Sequence, residues 1–374
     1  MQSSDPDAAT VKLGGSALGW MAVMLLPLLQ ASAGAQVLDF ELFRTSRVMS
    51  VFDNRGIFLQ DPRTGAGFAF FPADSPNSYG FGSGLWVGGL VNGVRVVSTT
   101  YDAAGGFSEF VPGRVAERGG GADDILCSDV PADLARWYPE FSDPVTGEPI
   151  VRSERDCVVI YNDANQSRDV TTPIGLEVRQ RTMTFDRGYL SQALFVQWDV
   201  VNAGSDAVDD AFLAVNADMD IGDPRDDRCS AVRSVPPGNN NPTQSRIRTD
   251  LGFCWDDDFF ELEFDPNPPG FIGLTLLDSG RDAPGRDPGL TRFTLTTNPS
   301  EQRPQPDPQT DADQYDLLQG FGARSPFIDA VPTDVRFVAI SGPFTLPPRA
   351  SRRITAAYLW ADVSHGRRVL AVSP

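Results

Sequence analysis

The chain holds one histidine, His365, and one lysine, Lys12, so nearly all of its 31 basic residues are arginine. These shortages close off whole classes of chemistry. A phosphate-cradling P-loop needs a lysine on the phosphates, and Schiff-base catalysis needs a lysine amine. A zinc site built from several histidines cannot be assembled. A Ser-His-Asp or Cys-His site would have to use His365, which reads as a surface residue near the chain end. Positive charge is scarce overall, with 31 basic against 50 acidic residues, for a net charge of −19 over 374 residues. Such a surface repels phosphates and anionic lipid, so no nucleic-acid partner is expected. No run of the mature chain approaches 18 apolar residues, so no membrane-spanning helix is expected there. The four cysteines form no C-x-x-C pattern, which weakens a thiolate metal site.

What is present is apolar surface and turn chemistry. Hydrophobic residues make up 41%, with 24 phenylalanines, enough to bury a sizeable core. Gly (35) and Pro (30) are too frequent for a long helical bundle or coiled coil. Leu85–Val91 and Val94–Thr100 flank Asn92-Gly93, a pair that favours positive φ at both turn positions, so a hairpin is predicted. Leu176–Phe185, Ala193–Val201 and Ala211–Ala217 read as three further strands. In the second of these, Leu194, Val196, Trp198 and Val200 share one face at period two. Arg336–Ser341 and Arg352–Ala361 read as the last strands. Short helices are expected at Pro131–Trp137 and at Asp311–Gly320, the latter with Asp311 as cap and Gly320 as stop. The predicted fold class is all-β: an antiparallel β-sandwich, either one large or two packed sandwiches, with long loops and one or two short helices.

The uncharged stretch Ala17–Leu29 is followed by Ala33-x-Ala35, an A-x-A cleavage pattern, so residues 1–35 are expected to be a secretory signal peptide. Asp5 and Asp7 are unusual before such a segment. Translation from position 11 would leave a short leader headed by Lys12. The remainder divides into an N-terminal β-rich region (36–115), an irregular excursion (116–155) and a β-sandwich region (156–374) with an acidic loop and a Pro/Asp-rich insertion. An exported chain with Cys127, Cys157, Cys229 and Cys254 is expected to form disulfides. Three pairings are open. The local one, Cys127–Cys157 with Cys229–Cys254, closes loops of about thirty residues, each stabilising by roughly 3–4 kcal/mol in the chain-entropy model.

The densest chemical signal is Asp218, Asp220, Asp223, Asp226 and Asp227. Clustered carboxylates repel, and Ca²⁺ offsets that repulsion because it accepts six to eight hard oxygens. Gly222 and Pro224 let the chain wrap an ion. Asp256, Asp257 and Asp258 could close on the same site if Cys229 pairs with Cys254. The spacing is not that of an EF-hand. The competing reading is a solvated acidic loop partly neutralised by Arg225 and Arg228. Asp163, Asn165 and Asp169 form a weaker second candidate. Trp86, Trp137 and Trp255 are candidates for stacking on sugars, whereas the alternation around Trp198 and Trp360 places those two in the core. A hydrolase would need two carboxyl groups roughly 5–10 Å apart, a condition that an acidic chain meets by chance.

The runs SGLWVGGLVNGVRVVSTTYD, IYNDANQ, TPIGLEVRQRTMTF, FVQWDVVNAGSDAVDDAFLAVNADMDIGDPRDD and FVAISGPFTLPPRASRRITAAYLWA resemble a group of large, uncharacterised secreted bacterial proteins. Members of that group often continue into fibronectin-like modules and a type IX secretion sorting tail. The resemblance runs in order over most of residues 45–362. It implies export, a β-rich fold and an extracellular or cell-surface setting, and it brings no known activity. The group is also acidic where it aligns with Asp218–Asp227, so calcium there is implied as a likeness. The chain ends at Pro374 with no sorting tail, from which free release, another exporter or a truncated gene product is expected. The expected function is a secreted or cell-surface binding or structural module with a calcium loop. A glycan or another surface protein is its expected partner. The alternative is a secreted carbohydrate-active or other hydrolase using an Asp/Glu pair.

Overall fold

Strand formation follows the sequence where β-branched and aromatic residues alternate with polar ones or run on between turns. The computed structural model describes residues 38–102, 108–117, 123–165, 173–232, 251–264, 268–280, 290–297, 307–320 and 332–364. The expected leader, Asp169 and His365 lie outside these. In chain order the strands are β1 (Phe40–Arg44), β2 (Met49–Asp53), β3 (Ile57–Phe58), β4 (Ala69–Phe70), β5 (Gly82–Val91), β6 (Val94–Thr99), β7 (Val111–Pro112), β8 (Leu126–Cys127) and β9 (Arg155–Asn162). They continue as β10 (Leu176–Thr184), β11 (Ala193–Asn202), β12 (Val208–Asp218), β13 (Asp227–Val232), β14 (Leu251–Asp256), β15 (Phe271–Asp278), β16 (Arg292–Thr297), β17 (Val335–Leu346) and β18 (Ser351–Ala361). Two α-helices occur among the described residues, α1 (Pro131–Leu134) and α2 (Asp311–Gln319).

The strands form two antiparallel sheets that pack on each other as one large sandwich. The first runs β1-β2-β3-β5-β12-β17-β16, with β4 on β2 and β6 on β5. The second runs β13-β14-β15-β18-β11-β10-β9-β7, with β8 on β9. Because β5 pairs with β12, the region 36–115 shares a sheet with the region that follows residue 156. The β5–β6 hairpin turns at Asn92 (φ 51°) and Gly93 (φ 80°), the backbone that the Asn-Gly pair predicts.

Inward-facing side chains of both sheets fuse into one core. Leu194, Val196, Trp198 and Val200 are fully buried, as their period-two spacing predicts. The Trp198 ring meets Phe58 of the opposite sheet edge-on, with centroids 5.8 Å apart, and Phe58 stacks at 6.0 Å on Tyr358. Each large side chain buried this way contributes about 1.5–3 kcal/mol. Helix α2 lies on the outer face of the first sheet, where Tyr315, Leu317 and Leu318 cover Trp86, Phe212 and Val338. Its cap is Thr310, not Asp311. Thr310 has extended backbone and its hydroxyl accepts the Asp313 N–H at 3.2 Å, while Asp311 already lies inside the first turn. Gly320, at φ 84°, ends the helix as expected.

Two disulfides staple the second sheet. Cys127 sits opposite Cys157 on β8 and β9, and Cys229 opposite Cys254 on β13 and β14. The sequence left three pairings open, and cross-strand register selects the local one. No described helix is long and apolar enough to cross a membrane.

Candidate metal centre

The acidic loop is the crossover from one sheet to the other. Strand β12 ends at Asp218, directly opposite Gly82 of β5 and Arg336 of β17. The chain then leaves the first sheet, with the buried side chains of Met219 and Ile221 anchoring it to the core. A left-handed Gly222 (φ 70°) turns it. A Cβ at this position would collide with the Glu261 carboxyl group. A single 3₁₀ turn, Pro224–Asp226, delivers Asp227 to the start of β13. The five aspartates are therefore strung across the gap between two sheets, and four of them fall into two centres.

The first centre gathers around a buried arginine. Carboxylate oxygens of Asp218, Asp220 and Asp334 lie within 4.8 Å of one another. Arg336, 7% exposed, places Nε 3.2 Å from Asp218 and 3.5 Å from Asp307, and Nη1 2.9 Å from Asp334. The Tyr101 hydroxyl donates to Asp218 at 2.9 Å. Burial pushes the Asp218 carboxyl up to about 6, against the lowering pull of Arg336 and the Tyr101 hydroxyl. Asp220 is pushed well above the usual carboxylate range, by burial first and then by Asp218 and Asp334.

The second centre joins the end of the crossover to the loop after β14. Asp227 and Asp256 are directly opposed across the β13–β14 pair, and both are buried. Like charges facing each other in a sheet are unfavourable, the more so without water. The Cys229–Cys254 bridge lies two residues further along the same face and holds them there. Oxygens of Asp226, Asp256 and Glu261 lie within 4.8 Å of one another. Asp256 Oδ1 accepts the Phe260 N–H at 3.0 Å, Asp227 Oδ2 accepts that of Ile221 at 2.9 Å, and Glu261 Oε1 accepts that of Asp223 at 2.7 Å. The remaining oxygens, Asp226 Oδ1, Asp227 Oδ1 and Asp256 Oδ2, are shielded from solvent and accept no hydrogen bond. Burial, followed by the charges of Asp226 and Asp258, drives the Asp256 carboxyl up to about 7. Burial pushes Asp227 well above the usual range, and Asp220, Asp256 and Asp226 add to it.

Asp223 belongs to neither group. Its carboxylate pairs with Arg225, which holds it below the usual range, and Asp257 pairs with Arg228. The two arginines thus neutralise these parts of the loop, as a solvated acidic loop would require. Glu261 and Asp334 escaped the sequence reading. Glu261 continues the acidic run Asp256–Asp258 after two phenylalanines, a readable signal. Asp334 joins only through the register of β17 on β12.

The other candidates resolve differently. Asp163 is buried and its oxygens accept the N–H groups of Ile174 and Leu176, each at 2.8 Å, and the Ser98 hydroxyl at 3.0 Å. It organises a loop with donors from its own chain. The Asn165 amide donates to Ser108 O at 2.6 Å. Trp86, Trp137 and Trp255 are all buried, so they offer no platform for a sugar ring. Trp86 and Trp137 spend their N–H groups on the carbonyls of Tyr101 and Phe141, and Trp255 stacks on Phe253.

No protein-family model matches the chain, and no curated protein matches it. Among solved structures it is similar to an amine oxidase of Aspergillus nidulans, at 10% identity and a TM-score of 0.35, over 94% of this chain and 55% of that one. It is also similar to a lysyl oxidase of Pichia pastoris, at 9% identity and a TM-score of 0.34, over 86% of this chain and 50% of that one. The chain spans about half the length of these structures, and values this low carry no functional information.

Proposed function

We propose that this chain is an exported, disulfide-stapled β-sandwich module. It binds one Ca²⁺ ion at Asp226, Asp256 and Glu261, with Asp227 beside them. The ion is structural, tying the crossover between the sheets to the loop after β14. The module serves in binding or scaffolding at the cell surface or outside the cell, with a glycan or another surface protein as its partner. Export is supported by the two disulfides, which persist in oxidising compartments.

One observation carries the calcium reading. Three carboxylate oxygens, on Asp226, Asp227 and Asp256, are buried without a donor. Oxygens of Asp218, Asp220 and Asp307 also lack one, but there Arg336 offsets the charge, whereas the charges bearing on Asp256 share its sign. An uncompensated buried carboxylate costs several kcal/mol. A hard cation that coordinates oxygen removes that cost, and no histidine or free thiol stands among these residues to favour a softer metal. Calorimetric titration of the chelator-treated protein with CaCl₂ tests it. Binding near one ion per chain is expected, with a rise in melting temperature and at least tenfold weaker binding in Asp256→Asn. Absence of binding heat together with an unchanged melting temperature would refute it.

A further inference from the structure

A cavity of about 660 Å³ opens between the β4 region and the loops that flank β15 and β18. Its wall is largely aromatic. Tyr79 meets Phe71 edge-on at 6.0 Å and Phe264 at 5.3 Å, and the Tyr79 hydroxyl accepts the Gly270 N–H at 2.9 Å, which fixes the ring. All three rings are nearly buried, so the wall is preformed. The size falls within the range of small-molecule sites, about 300–1,000 Å³.

Three polar side chains bear on what this cavity can hold: Arg47, Asn77 and Asp362. Arg47 is exposed at the rim with its guanidinium 5.5 Å from the Phe71 ring centroid, and it makes no ion pair among the described residues. Asn77 Oδ1 is shielded from solvent and accepts no hydrogen bond. Asp362 also lines the cavity and its charge bears on Tyr79, but Arg47 makes no ion pair with it, so the guanidinium held over Phe71 is open to an anion at its own end of the cavity. The Arg47 charge covers one face of Phe71, which disfavours a sugar ring stacked there. The remaining apolar wall suits an aliphatic or aromatic body.

We propose that this cavity is a ligand site for a small amphipathic carboxylate, with its apolar body against Phe71, Tyr79 and Phe264 and its carboxylate on Arg47. Phe264 closes the 3₁₀ turn that begins next to Glu261, and its N–H donates to Glu261 O at 2.9 Å, so the site is carried on the calcium loop. The proposal itself does not need the ion. Calorimetric titrations with octanoate and 3-phenylpropionate, and with their neutral amides, are run in calcium and again in chelator. The acids are expected to bind in at least one condition, at least tenfold more tightly than the amides. Arg47→Gln, a surface change that leaves the fold intact by circular dichroism, is expected to erase that difference. Binding of neither acid in both conditions, equal binding of acid and amide, or an unchanged preference in Arg47→Gln would each overturn the proposal. Failure of the calcium site alone would appear in the CaCl₂ titration and leave these results standing.

Discussion

The two ends of the Asp218–Asp227 crossover solve one electrostatic problem in different ways. At the first end, Asp218, Asp307 and Asp334 surround Arg336, a cation that the fold supplies from the neighbouring strand. At the second end, Asp226, Asp256 and Glu261 converge, and the charges of Asp226, Asp258 and Glu261 bear on Asp256 with its own sign. A buried carboxylate is costly in both places. An internal arginine offsets the charge of the first centre, whereas the proposed calcium ion would do so at the second. The comparison shows why counting aspartates is a poor guide to a metal site. The relevant quantity is charge balance: both centres leave buried carboxylate oxygens without a hydrogen bond, but Arg336 stands among those of the first.

The largest expected effect comes from erasing this difference. Arg336→Leu leaves Asp218 and Asp307, both buried, and the half-buried Asp334 without their cation and should cost about 3–5 kcal/mol in urea unfolding. In the folded fraction, calcium stoichiometry should rise from one to two ions per chain, because the first centre then resembles the second. A variant that keeps full stability would break the comparison.

Next come the disulfides. Replacing Cys229 and Cys254 by serine, or Cys127 and Cys157, should each cost roughly 3 kcal/mol. Only the first pair should also weaken calcium binding, since that bridge holds Asp227 against Asp256. Equal calcium affinity in the two double variants, measured by calorimetry, would detach the staple from the site.

A smaller effect lies in the pH dependence without calcium. Burial pushes the Asp218 and Asp256 carboxyls up to about 6 and about 7 in the folded state, above the ordinary carboxylate value of 3.8. Groups raised on folding contribute stability that is complete below the unfolded value and is lost as pH rises through the folded one. Thermal melts in chelator should therefore show falling stability from about pH 4 to beyond pH 7. Added calcium should raise the melting temperature more at pH 8 than at pH 5. A stability that instead climbs over this range would contradict the burial of these carboxyls. The smallest effect belongs to Asp223→Ala. Its partner Arg225 has a side chain 79% exposed, so the loss should stay under about 1 kcal/mol with calcium affinity unchanged.

Much of the fold was legible in the chain itself. The hairpin at Asn92-Gly93, the buried face of β11 and the Gly320 stop rest on preferences of a few adjacent residues. The cap of α2 lies one position before the expected Asp311 because Thr310 and Asp311 are both competent N-caps, and only the backbone conformation decides between them. Of the candidate site, Asp226 and Asp227 were readable in the acidic run, and Asp256 through the spacing of Cys229 and Cys254. Asp223 was indistinguishable from its neighbours until Arg225 was seen folded back on it. Two of the tryptophans that are candidates for sugar stacking carry no local mark of the layers that cover them: α2 over Trp86, and the excursion around Trp137.

Composition and periodicity by themselves determined an acidic, nearly lysine-free chain of antiparallel strands, with five of its carboxylates clustered in one loop. Those properties arise within windows of a few residues, where side-chain alternation and turn preference act. Tertiary structure alone decided which carboxylates share a centre, and which of them receive Arg336. That choice depends on the register between β12 and β17 and on the opposition of β13 to β14. Pairings between distant strands set both the distances between charges and the water excluded around them, and neither quantity exists in the unfolded chain.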